Sequence, residues 1–270
     1  MLSFVSLCPH PPIILPGVAP EAERQKAAST IQAMEKLGRL FQQADIQSVV
    51  LVSPHGPFDP QRITLLFSPE IKENLQNFNL PETNLSFPGN LELSRDLTLR
   101  AEQESVPLRV VMPEELDNGA FVPLYFLTRD QEKSPSLVEL IYSALDFATH
   151  LKLGQVLYQI IQESPERIAF IASGDLSHRL TKDAPAGYSP RGKVFDESLL
   201  RFLRQKDISS ILKMDPILIE EAGECGYRSI LILLGLLQEW GLEKWTPEIL
   251  SYEAPFGVGY AVVNFPANPL

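Results

Sequence analysis

Two continuous apolar runs constrain this chain most: SVVLVS at residues 48–53 and RIAFIAS at residues 167–173. Neither alternates apolar with polar residues, so neither can lie with one face in water. Short runs of this kind belong inside a sheet covered on both sides, as parallel strands in α/β proteins are. The segments around them carry the helical period. Residues 20–44 place Ala27, Ile31, Met34, Leu37 and Phe41 on one stripe, and residues 91–104, 147–163, 194–205 and a run from near Gly223 to about Trp240 also read as helices. Further strands are expected at 3–7, 62–67, 108–112 and 137–144, with a closing pair at 248–253 and 257–265 joined by a Pro-containing turn.

Residues 69–90 are polar and rich in Pro and Asn and read as a surface excursion, and 180–192 as a long loop. No repeat or low-complexity linker interrupts the alternation. The expectation is one domain over 1–270, of α/β class: a three-layer αβα arrangement around a central, mostly parallel mixed sheet.

Composition excludes several classes. No run reaches the 18 or so apolar residues of a membrane span. The N-terminus, MLSFVSLCPH, lacks a basic segment and a small-residue cleavage site, so it is expected to be a first strand of a cytoplasmic protein. Two cysteines, Cys8 and Cys225, do not make a disulfide framework. A formal charge of −11 argues against nucleic acid as a partner.

Three of the four histidines follow predicted strands: His10 in LCPHPPIILPG, His55 in VSPHGPF and His178 in ASGDLSHRL. Ligands of open α/β sheets bind beyond the carboxyl ends of the strands, where distant residues converge. His10 and His55 are therefore expected to share a divalent metal, since neutral imidazole is the commonest metal ligand. His150, on a predicted helix, reads as an ordinary packed residue. A third ligand is needed, and EEAGECGYRS offers two. Glu224 would complete the two-histidine, one-carboxylate set of non-haem Fe(II) sites, whereas Cys225 would favour Zn(II). Glu224 could instead serve only the helix N-terminus. No HExxH motif or nucleophile elbow supports a hydrolase.

In order along the chain, PHPP, SPHG, GDLSH and GEC at the head of an apolar helix resemble the class III extradiol ring-cleavage dioxygenase (LigB-like) superfamily. Its Memo-like branch and the proteins found beside AMMECR1-type domains share the GDLSH segment. The resemblance implies a mononuclear Fe(II) held by His10, His55 and Glu224, with His178 as acid/base beside it. It also implies a small aromatic diol and dioxygen as substrates, with a second copy or an AMMECR1-type partner conceivable. Asp175 would orient the His178 ring or support its loop, or simply bond its own backbone in a turn. Two departures stand out. Ring-cleaving members carry a histidine before VPL, where ELDNGAFVPL has Asn118, which can hydrogen-bond oxygen but cannot shuttle a proton. Memo-like proteins use Cys-Gly at the helix head, and Cys225-Gly226 stands in that register. An Asp-Asn-Gly turn is the plain reading of the first departure. For the second, a thiol at a helix N-terminus is expected to have a lowered pKa.

Overall fold

The computed structural model describes residues 1–72, 85–112 and 115–268. The strands among them are β1 (Leu2–Cys8), β2 (Ser48–Ser53), β3 (Ile63–Leu66), β4 (Glu70–Lys72), β5 (Ser86–Pro88), β6 (Leu108–Val111), β7 (Ser136–Ile141), β8 (Ile168–Ser173), β9 (Glu248–Glu253) and β10 (Tyr260–Asn264). The helices are α1 (Glu21–Arg24), α2 (Ala28–Gln43), α3 (Leu91–Gln103), α4 (Asn118–Thr128), α5 (Phe147–Glu163), α6 (Pro190–Gln205), α7 (Ile208–Leu212), α8 (Pro216–Ala222) and α9 (Tyr227–Trp240).

Eight strands form one mixed sheet in the order β6-β3-β7-β2-β8-β1-β10-β9. Its centre, β7-β2-β8-β1, is parallel throughout. Among the described residues, antiparallel pairing enters this sheet at β3 with β7, at β1 with β10 and at β10 with β9. The two apolar runs are thus neighbours, with every residue of both strands buried. Their side chains alternate between two cores. Val50, Val52, Phe170 and Ala172 join the core that includes residues of α3, α5 and α9, whereas Val49, Leu51, Ala169 and Ile171 join the core of α2 and α4. Burying each Val, Leu, Ile or Phe side chain among these stabilises the fold by roughly 1.5–3 kcal/mol, which is why neither run has a polar face. The result is the expected three-layer α/β architecture. No helix among the described residues is long and apolar enough to cross a membrane.

Three local expectations are corrected. The helical stretch at 20–44 is broken, because Ala27 at φ −102°, ψ 28° interrupts the hydrogen-bond ladder between a short 3-10 turn and α2. The last apolar helix starts at Tyr227, not near Gly223, because Gly223 adopts a left-handed φ of 63° and ends α8. The Asp-Asn-Gly segment is not a free turn. The Asp117 side chain accepts from the Ala120 N–H and caps α4, in whose first turn Asn118 and Gly119 lie. Of the surface excursion at 69–90, the described parts pair as the β4–β5 ribbon, and residues 73–84 lie outside the described residues.

Candidate metal centre

The parallel order β2-β8-β1 sets three carboxyl ends side by side, and the three motifs follow from them. His10 lies just past β1 and His55 just past β2, while Asp175 and His178 follow β8. The His10 and His55 Nε2 atoms are 3.1 Å apart. Cys225 Sγ, arriving from the connection between α8 and α9, stands 3.7 Å from His10 Nε2 and 3.8 Å from His178 Nε2. Two donor groups result, His10/His55/Cys225 and Asp175/His178/Cys225, with the donor atoms in each within 4.8 Å of one another.

The tautomer of His10 follows from its neighbours. Ser173, the last residue of β8, donates its hydroxyl to the Gly119 carbonyl at 2.5 Å. A hydroxyl has one proton, so towards His10 Nδ1, 3.0 Å away, it must accept. His10 therefore carries its proton on Nδ1 and presents the Nε2 lone pair to His55 and Cys225. An outer-sphere acceptor of this kind is what metal-binding imidazoles use to fix their orientation. The Gly119 carbonyl is free for Ser173 because Pro123, four residues on inside α4, has no N–H to offer it.

Cys225 is placed by backbone approach. A Cβ on Gly174 would fall 2.2 Å from the Gly226 Cα, a contact no side chain tolerates. That closeness lets the Asp175 N–H donate to Cys225 Sγ at 3.3 Å and the Cys225 N–H donate to the Asp175 carbonyl at 3.3 Å. The Tyr142 hydroxyl donates to the Cys225 carbonyl at 3.0 Å. The Asp175 carboxylate does not bond its own turn; its Oδ1 accepts the His10 N–H at 3.0 Å and ties the β1 loop to the β8 loop.

Burial sets the protonation states. It drives His10 down to about 3, helped by the neighbouring His55 and opposed by Asp117. The 3.9 Å approach of His10 Nε2 to Asp175 Oδ2 is therefore not an ion pair at neutral pH. Burial lowers His178 as well, against the pull of Asp175. It raises Asp175 to about 6, with the His10 N–H opposing. The expectation of an acidified Cys225 is not met by the protein groups alone. Burial, and then the Asp175 carboxylate, push the thiol well up despite the helix head. A divalent cation would reverse that balance, because a coordinating thiol is deprotonated outright.

The donors fit such an ion. Two imidazole nitrogens bound to one ion at ~2.1 Å lie roughly 3.0–3.4 Å apart, and the observed 3.1 Å falls in that range. His10 is buried, while His55, His178 and Cys225 each keep partial exposure to solvent.

The remaining expected residues divide. Glu224 lies in neither donor group. Its carboxylate accepts from the Tyr227 N–H at the start of α9, and burial raises it to about 7. The structure thus gives it a contact at the helix terminus, a role the sequence left open, and Cys225 is the residue whose donor atom stands with those of the histidines. Asn118 is half-buried in the first turn of α4, beside Gly119, whose Cβ would come within 3.3 Å of the His55 ring. His150 is buried, with Nδ1 2.7 Å from the Asp146 carbonyl, as a packed helix residue. Sequence reasoning missed Ser173, Ser53, Asp117 and Tyr142. The two serines had a signal: each is the polar last residue of an apolar strand that leads to a histidine or aspartate motif.

Residues 5–263 match the model of the catalytic LigB subunit of aromatic ring-opening dioxygenase. Protein CA_C1420 of Clostridium acetobutylicum is 34% identical over 97% of this chain and 57% of its own length. The 3,4-dihydroxyphenylacetate 2,3-dioxygenase of Escherichia coli is 26% identical over 62% of each chain. The chain thus spans about three fifths of the length of either relative. An uncharacterised Escherichia coli K12 protein, JW3007, shares the fold with a TM-score of 0.66 at 17% identity, over 97% of this chain and 99% of its own.

Proposed function

The chain belongs to the family of catalytic LigB subunits of aromatic ring-opening dioxygenases, and from that premise we propose that it is a metal-dependent oxidoreductase acting on a small aromatic diol with dioxygen. One observation carries the reading: His10, His55 and Cys225 converge, with His10 Nε2 stripped of its proton by the Ser173 relay. These three residues would hold one divalent ion, Fe(II) for dioxygen chemistry. A bound Fe(II) supplies the redox centre through which a diol and dioxygen, otherwise slow to react, exchange electrons.

The protein's own groups do the rest. His178, half-buried, has its Nε2 3.8 Å from Cys225 Sγ. It is lowered from its usual range by burial and so is neutral at physiological pH, ready to take a proton from a diol hydroxyl. Asp175 opposes that lowering, and so stabilises the imidazolium that forms. Tyr142, whose hydroxyl donates to the Cys225 carbonyl at 3.0 Å, is in edge contact with Phe58 at 6.5 Å between ring centroids, and Phe58 is exposed enough to meet an aromatic ring.

A second reading is favoured by Cys225 and Asn118 together: a Memo-like centre that binds metal, Zn(II) included, without cleaving rings. Thiolate is a softer donor than the carboxylate of ferrous sites, and Asn118 cannot shuttle a proton. An AMMECR1-type partner belongs with this reading. Anaerobically purified protein offered Fe(II) and Zn(II) separates the two, with His55→Ala as the control. One equivalent of iron, lost in the variant, and oxygen uptake with a panel of catechols is the expected result. Tight zinc and no oxygen uptake with iron-loaded protein would establish the second reading, and no metal at all would overturn both.

A further inference from the structure

Glu139 is a charged residue type in the middle of the buried strand β7, facing Leu51 of β2 and Leu66 of β3. The strand alternation turns it, with Leu137 and Ile141, towards the core that contains α4. It is fully buried, and no donor among the described residues reaches Oε1 or Oε2. Asp117 carries a carboxyl oxygen in the same condition. Asp117 Oδ1 accepts from Ser53 Oγ at 2.9 Å and from the Ala120 N–H at 3.1 Å, but the buried Asp117 Oδ2 has no donor among the described residues. Asp117 Oδ2 sits against Gly56, where a Cβ would come within 3.0 Å of it.

Three acceptor oxygens without a donor among the described residues, in two carboxyls that interact with each other, are a costly arrangement unless one carboxyl keeps its proton. Two carboxylates that share a buried site cannot both ionise. A proton on one Glu139 oxygen, donated to Asp117 Oδ2, satisfies two of the three at once and leaves only the uncharged carbonyl oxygen of Glu139 without a donor. We propose that Glu139 is a positioning residue that donates a proton-borne hydrogen bond to Asp117, which through Ser53 holds the loop carrying His55.

The chain of contacts is continuous. Glu139 fixes Asp117 Oδ2, and Asp117 Oδ1 takes the Ser53 hydroxyl. The same hydroxyl oxygen accepts the His55 N–H at 3.2 Å. His55 is thus anchored through the α4 cap on one side as His10 is through Ser173 on the other. Burial and the adjacent Asp117, by charge and by a carboxyl–carboxyl hydrogen bond, keep the Glu139 proton in place well above the usual carboxylate range. The shared proton itself does not depend on the metal reading; only its consequence for metal affinity rests on it.

Two measurements test the proposal separately. Infrared difference spectra of the metal-free protein, wild type minus Glu139→Gln, are taken near pH ~9, above the range to which Asp175, Asp196 and Glu224 are raised. A carbonyl band of a protonated carboxylic acid present only in the wild type is expected, and its absence overturns the shared proton whatever the metal does. Metal affinity is then titrated with Co(II), read from its visible spectrum. Glu139→Gln keeps a donor and should stay within about threefold, whereas Glu139→Leu should lose about 10–100-fold, the range of outer-sphere losses. Ser53→Ala breaks the relay at its other end and should match the Leu variant, which covers the case in which Glu139→Leu fails to fold. Unchanged affinity in Ser53→Ala, or in a folded Glu139→Leu, overturns the positioning role. Failure of the wild type to bind Co(II) counts against the metal reading, and with it the positioning role, while leaving the infrared result to stand.

Discussion

Removing the Ser173 hydroxyl is the sharpest probe of the centre. In Ser173→Ala, His10 Nδ1–H loses its acceptor at 3.0 Å and the Gly119 carbonyl loses its donor at 2.5 Å. Pro123 cannot replace that donor, so the carbonyl is left bare inside the protein. An unsatisfied buried polar group costs ~1–3 kcal/mol, and two are created. The ring has an escape, however. Its proton can move to Nε2, where His55 Nε2 accepts it across 3.1 Å. That tautomer recovers part of the stability and closes the lone pair that a metal needs. The expected result is a stability loss of about 2–3 kcal/mol and a metal affinity reduced by about 10–100-fold. Urea unfolding of the metal-free protein and chelator-competition titration measure the two. Thr128→Val is the control, because Thr128 Oγ1 is also a buried donor, to the Leu124 carbonyl, but does not touch the site. Affinity within threefold of wild type in Ser173→Ala, with stability lost as in the control, would refute the tautomer argument.

Other expectations follow from the same contacts. Cys225→Ala should weaken metal binding beyond the ~100-fold reach of an outer-sphere loss, whereas Glu224→Ala should cost only ~1 kcal/mol of stability as a lost helix-end contact; titration of both variants reads the order, and the reverse order would restore Glu224 as ligand. Gly174→Ala, whose Cβ would lie 2.2 Å from Gly226 Cα, should cost ~1–3 kcal/mol by overpacking and lower metal affinity by displacing Cys225, both measurable on one preparation. Asp196, raised by burial to about 7, binds a proton in the folded state that the unfolded chain releases nearer 3.8. Its contribution is present in full below the lower value and is lost as pH rises to about 7, amounting to about 4 kcal/mol at most; denaturant midpoints of Asp196→Asn should therefore fall less steeply across that window than those of the wild type.

The architecture was legible because it rests on short-range pattern. Residues 147–163 and 248–253 show their helix and strand in the spacing of apolar side chains, and the structure places α5 and β9 on those same residues. Boundaries set by a single backbone angle were not legible. The left-handed Gly223 and the interrupted ladder at Ala27 leave no mark in periodicity. The Asp-Asn-Gly segment misled because Asp caps helices as readily as it makes turns. Only packing beyond it decides between them.

By itself, the sequence determined the αβα layers and the fact that His10, His55 and His178 follow strands, since burial on both faces and strand-end loops are encoded locally. The choice between Glu224 and Cys225 was not encoded. Adjacent residues at a helix head point in different directions, and which one faces the histidines depends on how β8 and α9 meet. Gly174 against Gly226 settles that meeting, 52 residues apart in the chain. The same holds for Ser173, Asp117 and Glu139. Each bears on the centre only through a hydrogen bond that no spacing along the chain can specify, because the partners are brought together by the order of strands in the sheet.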